Sequence, residues 1–442
     1  MKTQSETVLE LGDIQAAALM PRPHPYAGAY VAVRIDDRRA GRELLRRLIP
    51  LLDPVATFDP ARPVSLGVGL SYSGLEALGV PEQSLASFPD EFRQGMAARA
   101  DYLGDVGENA PEHWEAPLGS KDVHLVVAAL ARDTALMESM VTLARDAIRD
   151  LPGVAPIWQL DVHVPPDGRE QFGFKDGISQ PGVEGTNILG SNPHEAPLKA
   201  GEFVLGYEDE NGDLPPIPQP EVLGRNGTYV VFRKLHQRVA TFRQYLQQNA
   251  ADEAEATRLA AKFVGRWPSG APLALAPDED DPELGADSER NNAFLYGDDP
   301  RGLKCPVGSH VRRMNARDAV ITGQVRLHRM IRRGTNFGPS LPAGVREDDG
   351  ADRGLMFAFV GARLDRQFEF VQRQWINDGK FIGAPAERDP LIGVQDGGEF
   401  TVPHRPIRRR LQGLPDFVVN RGGEYCFMPS LRALRWLTDL DT

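Results

Sequence analysis

Cysteine is almost absent from this sequence: Cys305 and Cys426 are the only two among 442 residues. That excludes a disulfide framework and a thiolate zinc cluster. Long apolar runs are missing too, so no membrane span is expected. The opening MKTQSETVLELGDIQ has neither an apolar h-region nor an A-x-A cleavage pattern, which makes a cytoplasmic location the expectation. Positive charge is in deficit, with 50 Lys and Arg against 62 Asp and Glu. The one basic cluster without interspersed acids is Arg408 to Arg410. Nucleic acid is therefore not an expected partner. Familiar catalytic signatures are also lacking: there is no H-E-x-x-H and no G-x-S-x-G. Gly67-Val68-Gly69 lacks the third glycine of a dinucleotide-binding turn.

What is present is a repeated pairing of strand and helix. Apolar, partly β-branched runs at Ala29 to Ile35, Val123 to Leu130, Thr228 to Lys234 and Leu355 to Val360 read as strands. Each precedes a segment with apolar residues three and four apart: Arg38 to Ile49, Thr134 to Ile148, Gln237 to Gln248 and Asp365 to Ile376. Two units fall in each half of the chain, the spacing of a duplicated β-α-β-β-α-β module. Runs such as Val64 to Leu70 supply further strands. The fold expected is α+β: two tandem ferredoxin-like domains, each an antiparallel sheet covered by helices. The boundaries expected are 1–165 and 226–442, with a loop region at 166–225. A second Pro- and Gly-rich stretch runs from Pro268 to Gly302. Long loops in a compact protein commonly carry function.

Three segments concentrate chemistry-bearing residues beside glycine. In Gly173-Phe174-Lys175-Asp176-Gly177, glycines bracket an acid. They permit backbone conformations closed to other residues and close approach of a ligand. A tight turn with the acid bonding local amides explains the same pattern. In Cys305-Pro306-Val307-Gly308-Ser309-His310, a histidine follows a turn and opens a basic stretch. A lone histidine is more often structural than a ligand. In Arg332-Arg333-Gly334, arginines meet a glycine turn, which suits an anion or a plain basic loop. Residue chemistry alone leaves these alternatives open.

Taken in order, the segments resemble those of the dye-decolorizing peroxidases. Gly173 to Pro181 resembles that family's G-x-x-D-G signature. CPVGSHVRRMNAR, Cys305 to Arg317, is similar to the segment with its proximal haem histidine, and MIRRGTNFGP, Met330 to Pro339, to that with its distal arginine. SGLEALGV (Ser73 to Val80) and FVGRWPSGAP (Phe263 to Pro272) add to the likeness, which extends over nearly the whole chain. The resemblance implies haem in the C-terminal domain, with His310 as iron ligand and Asp176 and Arg332 on the peroxide face. Arg332 is preferred to Arg333 because the family's arginine stands two residues before the position of Gly334. It further implies Leu355 and Phe357 as pocket lining and Asp365 as the acid bonded to the proximal histidine. The absence of C-x-x-C-H makes the implied cofactor one non-covalent haem b per chain. The implied partners are hydrogen peroxide and a phenolic or dye-like reductant, with no membrane; a homo-oligomer is compatible with the sequence. Bulky dyes could be oxidised at the surface through Trp267, Trp375, Trp436 or Tyr425, although core packing explains each of these residues better. A haem-handling protein without turnover is the alternative.

Overall fold

The computed structural model describes residues 8–59, 61, 64–319 and 324–440; residues 1–7, part of the segment read above for a leader, lie outside it. No helix among the described residues is long and apolar enough to cross a membrane.

The N-terminal half contributes β1 (Ala27–Ile35), β2 (Val64–Leu70), β3 (Leu125–Ala131) and β4 (Val154–His163). Helix α1 (Arg38–Leu48) follows β1 and α2 (Thr134–Ile148) follows β3. The side chain of Asp37 caps α1 by accepting the Ala40 N–H at 2.8 Å, satisfying a donor the helix itself cannot. Leu44, Leu45 and Leu48 then face the sheet and are buried. The C-terminal half contributes β5 (Thr228–Gln237), the short β6 (Ile331–Arg332) and β7 (Thr335–Phe337), β8 (Gly354–Gly361), and β11 (Val418–Met428). Helices α3 (Val239–Gln248) and α4 (Glu253–Val264) follow β5. The segments Leu364–Glu369 and Val371–Ile376, after β8, form wide π-helical turns.

Strand order is β4-β1-β3-β2 in the first half and β11-β5-β8-β6 in the second, with β7 also on β8. Every pairing in these two sets is antiparallel. Both halves thus share the ferredoxin-like arrangement, in which the outer strands of the motif are its last and its second. The two sheets are one: β11 meets β2 at Phe427 and Leu70, giving nine continuous strands. A single apolar core runs beneath both, joining Leu44 and Leu75 to Phe359, Phe368 and Trp375. A separate hairpin, β9 (Gly398–Val402) with β10 (Arg409–Leu414), packs Phe400, Leu411 and Leu414 against Phe242 and Phe263 of α3 and α4.

Candidate active site

A cavity of about 310 Å³ lies mainly in the C-terminal half, with Arg22, Asp105 and Asn109 of the first half also on its wall. Its roof is the sheet face bearing Arg233, Leu235 and Gln237 of β5 beside Leu355 and Phe357 of β8. Alternation along each strand puts these residues on one side. The π-helical segments present Phe368, Val371, Gln372 and Ile376 from another wall. These residues, three, four and eight apart, share one helical face; π-helix is uncommon and concentrates at functional sites.

His310 lines the cavity from the first position of helix α5 (His310–Met314). The turn before it is fixed by Ser309, whose hydroxyl donates to the Lys262 carbonyl at 2.5 Å and whose N–H donates to Pro306 O. The arginines that follow are buried staples rather than an anion site. Arg312 binds Asp299 and the Cys305 carbonyl, and Arg313 donates to the carbonyls of Gly308, Trp375 and Glu387. Arg313 thereby brings the segment after Glu387 alongside the histidine. There Asp389 accepts from His310 Nδ1 at 2.9 Å, while its other oxygen accepts the N–H groups of Leu391 and Ile392. Burial raises the Asp389 pKa, but His310, Arg313 and the backbone bonds outweigh it and leave the carboxyl below its usual range. With Nδ1 engaged, Nε2 is the ring atom left for the cavity; the side chain keeps 28% of its surface although Asp389 keeps none.

The acid beside His310 is therefore Asp389, and the expectation of Asp365 is corrected. Asp365 forms a two-pronged pair with Arg363 and does not line the cavity. It lies in the first turn of the π-helical segment Leu364–Glu369, and Arg363 two residues away captures it locally.

Asp176 and Arg332 line the same cavity, as do Leu355 and Phe357. Positive φ at Gly173 (96°) and Gly177 (74°) carries the chain through the loop that exposes Asp176 to the cavity. Glu170 organises that loop. One of its oxygens accepts the Phe174 N–H at 2.9 Å; the other accepts the Phe172 N–H at 3.0 Å and Gln237 Nε2 at 2.7 Å. Burial pushes the Glu170 pKa up to about 7 despite these bonds. Lys175 anchors the loop to the second Pro- and Gly-rich stretch through the Pro268 and Gly285 carbonyls. Gln180 clamps the backbone of Arg332 from both sides, and the guanidinium donates to Ser179 O at 2.6 Å. Burial, then repulsion from Arg329, brings the Arg332 pKa down to about 10, still cationic at neutral pH. Arg333 points away and donates to Leu19 and Met20 carbonyls.

Further cations, Arg22, Arg266, Arg317 and Arg329, also reach the cavity. The Nε groups of Arg22, Arg317 and Arg329 are buried without a partner. A flat aromatic macrocycle with iron and two carboxylates fits these surroundings: apolar walls for the ring, an imidazole nitrogen for the metal, orphaned arginine donors for the acids. Among the aromatics considered for surface oxidation, Trp267, Trp375 and Tyr425 are buried in apolar clusters; only Trp436 is partly exposed.

No family model matches the chain. Individual proteins do. A dye-decolorizing peroxidase of Mycetinis scorodonius is 32% identical over 404 residues, 84% of this chain and 76% of that one. A multifunctional dye peroxidase of an Amycolatopsis strain is 32% identical over 404 residues, again 84% of this chain, and 82% of its own. The crystal structure of a fungal peroxidase of this type from Auricularia auricula-judae superposes with a TM-score of 0.84 at 27% identity, covering 98% of this chain and all of the other.

Proposed function

The chain belongs to the dye-decolorizing peroxidase family, haem enzymes that use hydrogen peroxide, and on that premise we propose that His310 would hold the haem iron, with Asp176 the acid–base group and Arg332 the cation that stabilises departing hydroxide. The observation that carries this reading is convergence: Asp176, Arg332 and the free side of His310 meet in one cavity from segments far apart in sequence. Non-covalent haem b is the cofactor proposed, and phenolic or dye-like aromatics are the reductants.

When bound, haem supplies the electrons that peroxide takes up as its O–O bond breaks. The protein's own groups handle protons and charge. Asp389 holds the proton on His310 Nδ1, which keeps Nε2 unprotonated and electron-rich. The Asp176 carboxylate takes the proton from one peroxide oxygen and returns it to the other, turning a poor leaving group into water. Such positioned proton transfer is worth roughly 10²–10⁴-fold. Arg332, held in place by Gln180 and Ser179, offers charge to the departing oxygen within a largely desolvated pocket. Overall, one peroxide gains two electrons and two protons to become two waters, and two phenols each give up one of both.

The test is an absorbance spectrum of haem-reconstituted protein before and after peroxide. A rapid spectral change that a phenol reverses supports the enzyme. Progressive bleaching without that return is the behaviour of a haem carrier and would overturn it.

A further inference from the structure

A second cavity, of about 450 Å³ and open to solvent, adjoins the first, with Val394 on both linings. Its other residues come from three stretches: Asp101 to Val106 in the first half, Arg373 to Lys380, and Pro385 to Arg388. Asn377 ties these together: its Oδ1 accepts the Val394 N–H at 2.9 Å and its Nδ2 donates to the Leu103 carbonyl at 3.1 Å. Arg373, Lys380 and Arg388 line the cavity, and none of the three forms an ion pair among the described residues. Asp101 and Asp378 are the acids on the same lining. Three cations against two acids leave one net positive charge, in a chain whose total is -12.

Part of this cationic lining is held in place by the protein itself. Arg373 and Arg99 each lie over the Tyr102 ring, 4.6 and 4.7 Å from its centre. Arg99 is pinned in turn by both oxygens of the buried Glu369, at 2.5 and 2.6 Å. Tyr102 and Val106 keep 45% and 47% of their surface, an exposed apolar patch beside the unpaired cations. Arg388 donates to the Val394 carbonyl, which closes the loop that carries Asp389. Gln395 Nε2 reinforces that loop by donating to the Asp389 carbonyl at 2.8 Å. Arg388 therefore connects the second cavity to the acid that engages His310 Nδ1.

We propose that the second cavity is an effector site for a small carboxylate with an apolar body, its charge met by Arg373, Lys380 and Arg388 and its body set against Tyr102 and Val106. A monoanion matches the single excess positive charge. A neutral aromatic gives the cations no partner, and an inorganic anion leaves the apolar patch in water. A carboxylate also suits a guanidinium, which it meets with two parallel hydrogen bonds. Taking Arg388 in this way competes with its bond to the Val394 carbonyl and loosens the loop around Asp389. The occupant needs no phenol hydroxyl and is an effector rather than a reductant. Binding stands apart from the peroxidase reading; only the coupling rests on that reading, through His310.

The probes are benzoate and benzamide, which share a body and differ in charge, titrated calorimetrically into haem-loaded protein with cyanide saturating the iron. Benzoate is expected to bind, and benzamide to bind about tenfold more weakly. Acetate, with the charge but little body, is expected to bind about tenfold more weakly as well. Arg373→Gln and Arg388→Gln are each expected to raise the benzoate Kd about tenfold. In the wild-type protein benzoate is expected to speed haem transfer to a competing acceptor up to about tenfold, the lower end of the cost of losing the acid behind a ligating histidine. In Arg388→Gln it is expected to leave that rate unchanged. Equal binding of benzoate and benzamide, binding only when cyanide is left out, or an unchanged Kd in both folded variants would overturn the site. Benzoate that binds without altering haem transfer would overturn the coupling to Asp389. Failure of the peroxidase reading shows separately, as haem-loaded protein that does not react with peroxide.

Discussion

The two halves of the molecule have the same strand order and opposite contents. In the first, the sheet face of β1 and β3 carries Val31, Val33, Leu125 and Val127, and α1 and α2 close on it with Leu44, Leu45, Met140 and Val141. In the second, the equivalent strands β5 and β8 carry Arg233, Leu235, Gln237, Leu355 and Phe357, and the covering segments stand off to leave a cavity. Interiors are close-packed by default. A cavity therefore needs a cause, and three are visible: charged and amide side chains on the roof, wide π-helical turns on the wall, and buried arginines tying the histidine segment to carbonyls. One topology makes a core or a container according to a few residues on one face.

That contrast can be broken most completely at His310. His310→Ala is expected to abolish the haem absorption band while leaving the N-terminal core intact; a fully loaded, spectrally normal variant would refute its role as the iron ligand. Asp176→Asn should retain haem and slow the reaction with peroxide by roughly 10²–10⁴-fold, followed by stopped-flow absorbance. The reverse behaviour is expected in the packed half. Leu45→Ala, at a fully buried position of α1, should cost about 2–5 kcal/mol in denaturant unfolding with haem and peroxide chemistry unchanged. A large loss of activity there would mean the halves are not separable in this way. Asp389→Asn should weaken haem affinity about 10–100-fold, measured by transfer to a competing haem acceptor.

The smallest effect concerns Glu170. Its folded pKa is raised from 4.5 to about 7, first by burial and also by Asp176. An acid with a raised folded pKa binds its proton more tightly in the folded state. Its favourable contribution is complete below the unfolded pKa and is lost as pH rises through 7. Wild-type thermal stability should therefore fall between about pH 4.5 and 7 relative to Glu170→Gln. Parallel curves across that range would remove Glu170 as the source.

How much of this was legible in the sequence depends on how local the information is. The strand–helix units were readable because apolar periodicity is local, and observed bounds differ by only a few residues, as in Val123 to Leu130 against Leu125–Ala131. The segments bearing Asp176, His310 and Arg332 were readable because glycine turns mark them and their order resembles a known set. Asp389 was missed: it lies 79 residues from His310 and is brought there by the Glu387 carbonyl held by Arg313. Its Asp-Pro turn was the available signal. The joining of two expected sheets into one was equally hidden, since it rests on one pairing, Phe427 with Leu70.

Strand β11 has a consequence for biosynthesis. The four strands of the first half, β1 to β4, end at His163, so their pairings with one another are complete once the ribosome has passed that point, and only the link of β2 to β11 comes later. Strand β5 begins at Thr228 but pairs along its length with β11, which starts at Val418. Its other partner, β8, is made first, and Asp389 also precedes β11. The second half thus waits, one sheet edge open, until almost the whole chain has emerged. The cavity is complete only when the strand that brings Val418 and Asn420 to its lining arrives.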